Sequence, residues 1–363
     1  MLNTFKPLQS PEQGDIVFAL NQWYIAGFSW ELDHAAPLAR TLLNKPIVLF
    51  RTPDGRAAAL EDRCCHRSLP LSFGTIEARG LRCGYHGLLF GADGACLEIP
   101  GQDKVPGKCR VPAHTLVEKD RILWIWFGDA DHSTPLQDPP DYPWHADPRY
   151  EFRGDVYHYE APYQLIHDNL LDLSHLGYVH LRTIGGDPST HMQAEMKVES
   201  AGNSVRVVRH MRESKPPATY AAAWPFADRI DRWQEIEFEV SHLRIWTGAV
   251  DANTESLDDP ARGGFHMRGL HGVTPETDST THYFWTMSTN RRPDGGSNMD
   301  QVFEQTALTF EEDKIVIEAQ YHNQQRFGAG PQIDIHVDVG ANRARRIIAG
   351  LTKAPTISLS STR

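Results

Sequence analysis

The sequence predicts an α+β protein in which a small antiparallel β domain precedes a larger domain whose antiparallel sheet is backed by helices. Three observations support this fold class. Short β-rich runs, broken by Gly, Pro and Asp, occupy residues 23–127. A stretch with five prolines follows between residues 129 and 149. The remaining chain combines alternating strand patterns with two amphipathic helical runs, so the two halves differ in kind.

In the first half, the predicted strands are WYIAGF, PIVLF, AAALED and RILWIWFG. The tetrapeptide at residues 52–55, TPDG, is a turn signal between two of them. The proline-rich stretch cannot form a helix or a central strand, so we interpret it as the crossing between domains. The predicted domains are therefore residues 1–140 and residues 141–363.

In the second half, charged residues alternate with apolar ones over residues 235–240, as expected for a strand with one solvent-exposed face and one buried face. The runs GGFHMRGLHGVTP and THYFWTMST flank a Glu-Thr-Asp cluster and predict a hairpin. Helical patterns extend from residue 298 to about 324 and from 341 to 351. These elements predict a sheet with helices packed on one of its faces.

Composition excludes several classes of protein. The formal net charge is −11 over 363 residues and no Lys/Arg-rich run occurs, so neither nucleic acid nor a membrane surface is an expected partner. The first fifteen residues lack the features of a secretion signal, and no run approaches the roughly 18 apolar residues of a membrane-spanning helix. With only five cysteines, we predict a cytoplasmic protein without a disulfide framework.

The most specific motif is a pair of short metal-ligand sequences, Cys64-x-His66 and Cys83-x-x-His86, separated by sixteen residues. Two thiolates and two imidazoles on paired loops suit a [2Fe–2S] cluster of the Rieske type, in which histidines ligate one of the two irons. Zinc also accepts two cysteines and two histidines, but its sites usually bring the cysteines and the histidines in separate pairs. The motif therefore predicts a redox cluster.

A second constellation is N-x2-D-x2-H-x4-H, formed by Asn169, Asp172, His175 and His180. On a helix the first three share one face, whereas His180 lies about 140° around from His175. Both imidazoles can meet one ion only if the helix is broken between them, and Gly177 is the residue expected to permit this.

Two histidines and one carboxylate are the ligands of a non-haem iron that activates dioxygen. The helical run after residue 298 offers a carboxylate at Glu311, Glu312 or Asp313. Relative to its apolar face, Glu312 points toward solvent, while Asp313 and Glu311 border the two edges of the face. The helical wheel leaves both of these as candidates.

These motifs resemble those of the Rieske non-haem iron oxygenases. The resemblance rests on residues 61–100, EDRCCHRSLPLSFGTIEARGLRCGYHGLLFGADGACLEIP, and on the second constellation after them. It implies a mononuclear Fe(II) bound by His175, His180 and Asp313, with Asn169 near the iron. Cys65 stands where the family usually has proline. A free thiol beside the cluster could be prone to oxidation, but we expect Cys65 to pack as a small buried side chain.

The resemblance also implies partners and an electron path. Dioxygen is the implied co-substrate, and NAD(P)H supplies electrons only through a separate reductase, directly or through a ferredoxin. The sequence has no dinucleotide-binding G-x-G-x-x-G motif, which agrees with NAD(P)H being bound by the reductase and not by this chain. In the family's head-to-tail homotrimer, an aspartate bridges the two centres of neighbouring subunits. Here the path is His86 of one subunit to Asp172 and His175 of the next.

Chain length and the long stretch beyond residue 313 are most similar to the oxidative demethylase branch, which includes vanillate and dicamba monooxygenases. This similarity implies O- or N-dealkylation of an aromatic compound by monooxygenation. Cis-dihydroxylation of an aromatic ring is one alternative. An electron-transfer protein without catalysis is another, although it would not need the second motif. The strand side chains predicted to line the substrate pocket, unless they are ordinary core residues, are His242, Trp246, His266, His271 and Trp285.

Overall fold

A computed structural model describes residues 18–352 apart from His34, Ala329 and Pro331. The first fifteen residues, on which the expectation of no secretion signal rests, lie outside the described part. Within it, no helix is long and apolar enough to cross a membrane.

The first half consists of short strands, as predicted. They are β1 (Gln22–Phe28), β2 (Leu38–Leu42), β3 (Lys45–Arg51), β4 (Ala57–Glu61), β5 (Thr75–Glu77), β6 (Gly80–Arg82), β7 (Leu89–Phe90), β8 (Cys96–Glu98), β9 (Ala113–His114), β10 (Leu116–Lys119) and β11 (Ile122–Phe127). They form three antiparallel sheets in the orders β1-β11-β10, β2-β3-β4-β9 and β5-β6-β7-β8. The two predicted cluster loops join β4 to β5 and β6 to β7, which places them side by side.

Residues 128–149 cross between the two halves with a single turn of 3-10 helix, Pro143–His145, and no strand. The crossing is tied to both halves by hydrogen bonds. The backbone N–H of Tyr142 donates to Asp120 Oδ2 at 2.7 Å, and its hydroxyl donates to the carbonyl of Arg268 at 2.8 Å. The predicted domain boundary at residue 140 falls inside this segment.

The second half carries the larger sheet and all the α-helices of the described residues. Its elements are β12 (Tyr150–Tyr159), α1 (Tyr163–Leu171), α2 (Leu176–Val179), α3 (Pro188–Met192), β13 (Glu195–Ala201), β14 (Ser204–Ser214), α4 (Ala218–Ala223), β15 (Ile230–Glu239), β16 (His242–Asp251), β17 (Phe265–Pro275), β18 (Thr281–Asn290), α5 (Met299–Phe327) and α6 (Val339–Leu351). The seven strands pair antiparallel in the order β12-β18-β17-β16-β15-β14-β13. The predicted α+β class is confirmed.

Each face of the seven-stranded sheet packs against a different partner because side chains alternate along its strands. One face, with Ile236 and Phe238 of β15, forms the main core with the helices, including Phe310 and Ile317 of α5. The other face packs on the first half of the chain. Gly272 marks the closest approach, because a Cβ at this position would lie 2.5 Å from Cδ1 of Ile25 in β1 and would require the Ile25 side chain to move. The sheet thus holds the two halves in a fixed relation.

Candidate active site

The two cluster loops have the same local geometry. In the first, the N–H of Cys64 donates to the carbonyl of Leu69 at 2.9 Å, and in the second the N–H of Cys83 donates to the carbonyl of Leu88 at 2.8 Å. Both cysteines are buried, with 2% and 3% exposure. Each loop therefore offers its thiol inward from a tight turn of matching shape.

The histidines of the two loops form a second pair at the surface. The rings of His66 and His86 are exposed, and their centroids lie 4.5 Å apart. The four side chains thus form an inner thiol pair, Cys64 and Cys83, and an outer imidazole pair. Among the described residues, no three of these four side chains have ligand atoms within 4.8 Å of one another, whereas His175, His180 and Asp313 do. The four residues therefore suit a two-iron cluster better than a single zinc ion.

Burial raises the pKa of the Cys64 thiol to about 11, and the adjacent Cys83 thiol adds to the shift. At neutral pH such a thiol stays protonated unless a metal stabilises the thiolate, because the thiolate is the metal-binding form. The inner pair is therefore suited to a tightly bound metal cluster and poorly suited to free thiol chemistry.

The second constellation is not one continuous helix. Helix α1 ends at Leu171, and Asp172 adopts an extended conformation (φ −119°, ψ 94°) that caps a 3-10 turn, Leu173–His175. The prediction that the helix ends between His175 and His180 is confirmed, because α2 ends at Val179, but the expected break at Gly177 was wrong, since Gly177 lies inside α2. Gly177 has another role: a Cβ there would lie 2.4 Å from the Cα of Pro188, so glycine permits the close approach of α2 and α3.

Both histidines face one carboxylate, because His175 ends the 3-10 turn and His180 follows the end of α2 at Val179. His175 Nε2 lies 3.3 Å from Asp313 Oδ1, and His180 Nε2 lies 3.1 Å from the same oxygen. The three residues form the group with ligand atoms within 4.8 Å of one another. Asn169 of α1 donates from Nδ2 to Asp313 Oδ1 at 3.1 Å. The chain thus gathers the two histidines, the carboxylate and the neighbouring asparagine that the resemblance implied.

Each histidine is oriented through its other ring nitrogen. His175 Nδ1 lies 2.6 Å from the carbonyl oxygen of Asp172, and His180 Nδ1 lies 2.8 Å from Glu312 Oε2. Such partners fix the tautomer and ring angle of a metal-bound imidazole. The Nε2 atoms are thereby both left to face Asp313.

The charge of the group is set by these contacts. Burial by itself raises the pKa of Asp313, but hydrogen bonds and charge from His175 and His180 outweigh it and hold that pKa well below its usual range. Burial lowers the pKa of His180, and the two carboxylates of Asp313 and Glu312 more than reverse that shift. The site is therefore anionic at the carboxylate, as a divalent cation requires.

Glu312 corrects the helical-wheel prediction. The wheel assigned it to the solvated face of α5, but its carboxylate contacts His180. The wheel considers only the face toward the sheet, whereas α2 and the residues after it cover a different side of α5. Glu311, in contrast, is exposed. Sequence spacing alone carries no signal for this contact.

Replacement of Glu312 by alanine is expected to weaken Fe(II) affinity about 10- to 100-fold, because the acceptor that orients the His180 ring is lost. The measurement is Fe(II) titration of metal-free protein. Glu311→Ala is the matched control, since it removes an exposed carboxylate from the adjacent position of the same helix. Equal affinities in the two variants would show that the contact does not support metal binding.

A cavity of about 60 Å³ extends from the histidines into the second domain. Its apolar walls are contributed by Leu170, Leu173, Leu176, Ile184, Tyr220, Ile245, Met267, Met287 and Phe310. A cavity that accommodates benzene measures about 150 Å³, so an aromatic ring has to displace side chains here. Two of the wall residues are methionines, which repack at low cost.

The most unusual side chain of the cavity is Arg232 of β15. It is 2% exposed, and its Nε has no hydrogen-bond partner among the described residues. Its Nη2 donates to the carbonyl of Ile184 at 3.2 Å, and its guanidinium lies 4.8 Å from the centroid of the Tyr220 ring. The buried guanidinium therefore retains one N–H group, at Nε, that is not hydrogen-bonded.

The acidic residues of the same strand are already engaged elsewhere. Glu235 accepts hydrogen bonds from Arg206 and Arg262, and Asp231 lies 3.9 Å from Arg212. Within the described residues, Arg232 therefore forms no ion pair. A buried guanidinium without a counter-charge is costly, so an anion entering the cavity has a favourable partner.

Four predicted pocket residues, His242, Trp246, His266 and Trp285, do not line this cavity, and that prediction was wrong. On β16 and β17 the cavity-facing residues have odd numbers, so the first three point to the opposite face of the sheet. Trp285 lies on the correct face but packs between the sheet and α5, with its ring centroid 4.9 Å from that of Phe310.

His271, also predicted, does line the cavity. Its Nδ1 lies 2.6 Å from the hydroxyl oxygen of Tyr283, and burial lowers the pKa of the imidazole to about 3. It is therefore a neutral group on the cavity wall at physiological pH.

Asp172 lies outside the cavity, in an open groove that His175 also lines. One carboxylate oxygen accepts the N–H of Ser174 at 2.8 Å, which caps the 3-10 turn. The contact of Asp172 with His175 runs through the backbone carbonyl, and the carboxylate is half-buried. His175 is thus shared between the cavity and a groove open to another molecule.

A paired Cys/His loop set and a separate two-histidine, one-carboxylate group within one chain define a two-centre redox enzyme. Comparison with known proteins agrees. Residues 22–112 match the Rieske [2Fe-2S] domain, and residues 159–354 match the vanillate O-demethylase oxygenase C-terminal domain.

Known relatives and a solved structure extend over almost the whole chain. A putative toluene-4-sulfonate monooxygenase system iron-sulfur subunit of Comamonas testosteroni is 37% identical, over 92% of this chain and 97% of the relative. The vanillate O-demethylase oxygenase subunit of Pseudomonas sp. (strain HR199 / DSM 7063) is 34% identical, over 92% and 94%. The crystal structure of dicamba monooxygenase bound to 3,6 dichlorosalicylic acid superposes with a TM-score of 0.84, at 32% identity, over 93% and 98%. The chain therefore belongs to the Rieske non-haem iron oxygenases, in the vanillate O-demethylase branch.

Proposed function

We propose that this chain is the terminal oxygenase of a multicomponent system and monooxygenates an alkyl group on a small aromatic anion, with O- or N-dealkylation as the outcome. The observation that carries the proposal is the cavity itself. It is lined by His175, His180 and Asp313, by apolar walls, and by the unpaired guanidinium of Arg232.

The metal assignments follow from the donor sets. Cys64 and Cys83 would hold one iron of the cluster and His66 and His86 the other, while His175, His180 and Asp313 would hold the mononuclear Fe(II). When bound there, the Fe(II) would supply dioxygen activation, with electrons received through the cluster. Donor chemistry and burial support both assignments, since each set matches a ligand set known for its metal.

The protein's own residues bind and orient the substrate. Arg232 pairs with the anionic group through its unpartnered Nε, which fixes the direction in which the ring lies. The leucine and methionine walls exclude water and hold the ring by contact. The alkyl carbon is thereby presented to the side of the cavity formed by His175 and His180.

Names of relatives support an anionic substrate. The names of two relatives contain toluene-4-sulfonate and vanillate, and both of these compounds are aromatic anions. A chloroacetanilide N-alkylformylase is also related, at 30% identity over 84% of this chain. The shared element is an aromatic ring, and Arg232 favours the anionic members of that set for this chain.

A second outcome of the same reaction is hydroxylation of a methyl group carried by ring carbon. The two toluene-4-sulfonate monooxygenase subunits, at 37% and 35% identity, favour it. In both outcomes one C–H bond becomes C–OH. Where the carbon is bound to oxygen or nitrogen, the product breaks into an aldehyde and the dealkylated ring, whereas on ring carbon the alcohol persists.

Turnover is expected with methoxy- and methyl-substituted benzoates and benzenesulfonates, assayed with a surrogate reductase. Formaldehyde should appear in step with the dioxygen consumed when the methyl group is bound to oxygen. Methyl esters of the same acids are the neutral controls. A cis-dihydrodiol as the main product would replace dealkylation by ring dihydroxylation, and equal turnover of acids and esters would remove the anionic substrate class.

Arg232→Met is expected to reduce kcat/KM for an anionic substrate about 10- to 100-fold, because a hydrogen bond to a charged group contributes about 1.5–3 kcal/mol. The neutral ester should be affected far less, since it makes no such pair. Iron content and the cluster spectrum are recorded to show that the variant is intact. An equal loss for acid and ester would assign Arg232 a purely structural role.

We propose a homotrimer in which the cluster of one subunit faces the iron site of the next, with the electron path from His86 to Asp172 and His175. Support comes from the exposed cluster histidines and from the groove beside His175. That groove is also lined by Val316 and by Ile333, which is 89% exposed. Light scattering of the purified protein tests the trimer, and a monomer would exclude this path.

The proposal also covers the redox partners of the protein and its location in the cell. A reductase, directly or through a ferredoxin, supplies the electrons from NAD(P)H, as implied for oxygenase components of such systems. We place the protein in the cytoplasm. Reconstitution of NADH-dependent dioxygen uptake tests the first point, and cell fractionation tests the second.

A further inference from the structure

The first cluster loop carries a cysteine that the cluster does not use. Cys65 lies between the ligand residues Cys64 and His66, and its side chain is exposed, so the prediction that it packs as a small buried side chain was wrong. Its Sγ lies 3.6 Å from Sγ of Cys109, which comes from the segment after β8. A disulfide bond measures about 2.05 Å, so the two sulfurs are in contact and about 1.5 Å too far apart for a bond.

The segment that carries Cys109 has room to move. Residues 101–108 contain no helix or strand, and most of their side chains are exposed. Cys109 itself is half-buried and anchored by backbone hydrogen bonds to Pro106 and Cys96. Rotation of the two cysteine side chains, with a small adjustment of residues 101–108, can therefore bring the sulfurs together while the backbone bond between Cys109 and Cys96 is kept.

The remaining cysteines are poorer partners. Cys64 and Cys83 are buried and assigned to the cluster. The Cys96 thiol also interacts with Cys109, but Cys96 is only 8% exposed and its Sγ lies 3.3 Å from the carbonyl oxygen of Glu98, so an oxidant reaches it less easily than Cys65. Within one subunit, Cys65 is the only exposed cysteine among the described residues, so a dissolved oxidant reaches it before the others.

We propose that Cys65 and Cys109 form a reversible disulfide when the protein meets hydrogen peroxide, as a modification site beside the cluster. The sulfur of Cys65 attacks peroxide: an S–O bond forms, the O–O bond breaks, and one water leaves. The sulfur of Cys109 then attacks the sulfenic acid: the S–S bond forms, the S–O bond breaks, and the second water leaves. Two thiols are oxidised by two electrons in total, and one peroxide is reduced to two waters.

The chemistry of the two thiols agrees with this order. Burial raises the pKa of Cys109 to about 12, with the Cys65 and Cys96 thiols adding to the shift, so Cys109 stays protonated and reacts slowly with peroxide itself, which leaves Cys65 as the first thiol oxidised. Peroxide is the two-electron reduction product of dioxygen and therefore arises wherever electrons reach dioxygen without oxidising substrate. The disulfide stops Cys65 at a reversible step, before the irreversible sulfinic acid.

The test treats intact holoprotein with hydrogen peroxide, blocks the remaining thiols and maps peptides without reduction. Trypsin releases residues 64–67 and 109–110, so the expected product is CCHR joined to CR. Tandem mass spectrometry should assign the bond to Cys65, with Cys64 alkylated, and dithiothreitol should restore both thiols. The visible spectrum of the cluster is recorded before and after, as a readout separate from activity.

Three variants sharpen the test. Cys65→Ser and Cys109→Ser should give no linked peptide, and the second should instead accumulate sulfinic acid on Cys65. Cys96→Ser is the matched control and should keep the link. The proposal is overturned if wild-type Cys65 reaches sulfinic acid without a crosslink, or if the crosslink joins Cys109 to Cys96 or to Cys64.

Discussion

Replacing Asp313 by alanine should eliminate the mononuclear iron and reduce turnover to background, while the cluster keeps its wild-type spectrum. The carboxylate is 5% exposed and lies within 3.3 Å of Nε2 of both His175 and His180. Without it, a divalent cation is left with two neutral imidazoles in a buried site, which is a poor ligand set for Fe(II). The measurement is iron per chain, by metal analysis, together with the spectrum of the reduced cluster.

Glu311→Ala is the control for this variant, since it removes an exposed carboxylate from the same helix. The cluster should survive in both variants because its ligands, Cys64, His66, Cys83 and His86, lie in the other half of the chain. If Asp313→Ala keeps its iron and Glu311→Ala loses it, the assignment of the carboxylate is wrong.

Asp172→Asn should slow electron transfer from the reduced cluster to the iron about 10- to 100-fold, while both metal centres and the oligomer remain. Asparagine caps a helical turn as well as aspartate, so the hydrogen bond to the N–H of Ser174 can persist. Only the charge in the groove beside His175 is removed. The measurement is single-turnover oxidation of the reduced cluster by dioxygen in the presence of substrate.

Asp187→Asn provides the comparison for this variant. Asp187 also caps a short helix, accepting the N–H of Ser189 at 2.8 Å, so the chemical change is identical at a site without a proposed electron path. Wild-type transfer rates in Asp172→Asn, or an equal slowing in Asp187→Asn, would leave Asp172 with capping as its role.

Much of the fold was predictable because the signals are local. The alternation of Ile236 and Phe238 predicts the buried face of β15, and the run after residue 298 predicts α5. The cluster loops were predictable from spacing alone, since four ligand residues at this fixed separation form a highly specific motif. The trio of His175, His180 and Asp313 required the resemblance to select among neighbouring carboxylates.

The sequence contained a signal for the cavity that the prediction of pocket residues did not use, namely the alternation of side chains along β15. Extending the alternation of Ile236 and Phe238 backward places Gln234 and then Arg232 on the same buried face. A polar pair on the apolar side of a strand was the available signal. Of the tryptophans and histidines predicted instead, His271 lines the cavity, whereas His242, Trp246 and His266 have even numbers on β16 and β17, where the cavity-facing residues have odd numbers.

The break at Asp172 and the contact of Glu312 were not predictable from spacing. At the break, the N–H of Ser174 donates a capping hydrogen bond to the Asp172 carboxylate. The contact between Glu312 and His180 joins residues 132 positions apart, on a side of α5 that faces neither the sheet nor open solvent. A helical wheel represents neither the cap nor the packing of separate segments.

The most direct test of the proposed function is mass spectrometry of the product formed under ¹⁸O₂ from a methoxybenzoate. Monooxygenation of the methyl carbon should give a phenol without ¹⁸O, because the original ring oxygen stays on the ring when formaldehyde leaves. The matching toluate should give an alcohol with one ¹⁸O atom. A ring product that carries two ¹⁸O atoms, or a phenol labelled with ¹⁸O, would contradict the account.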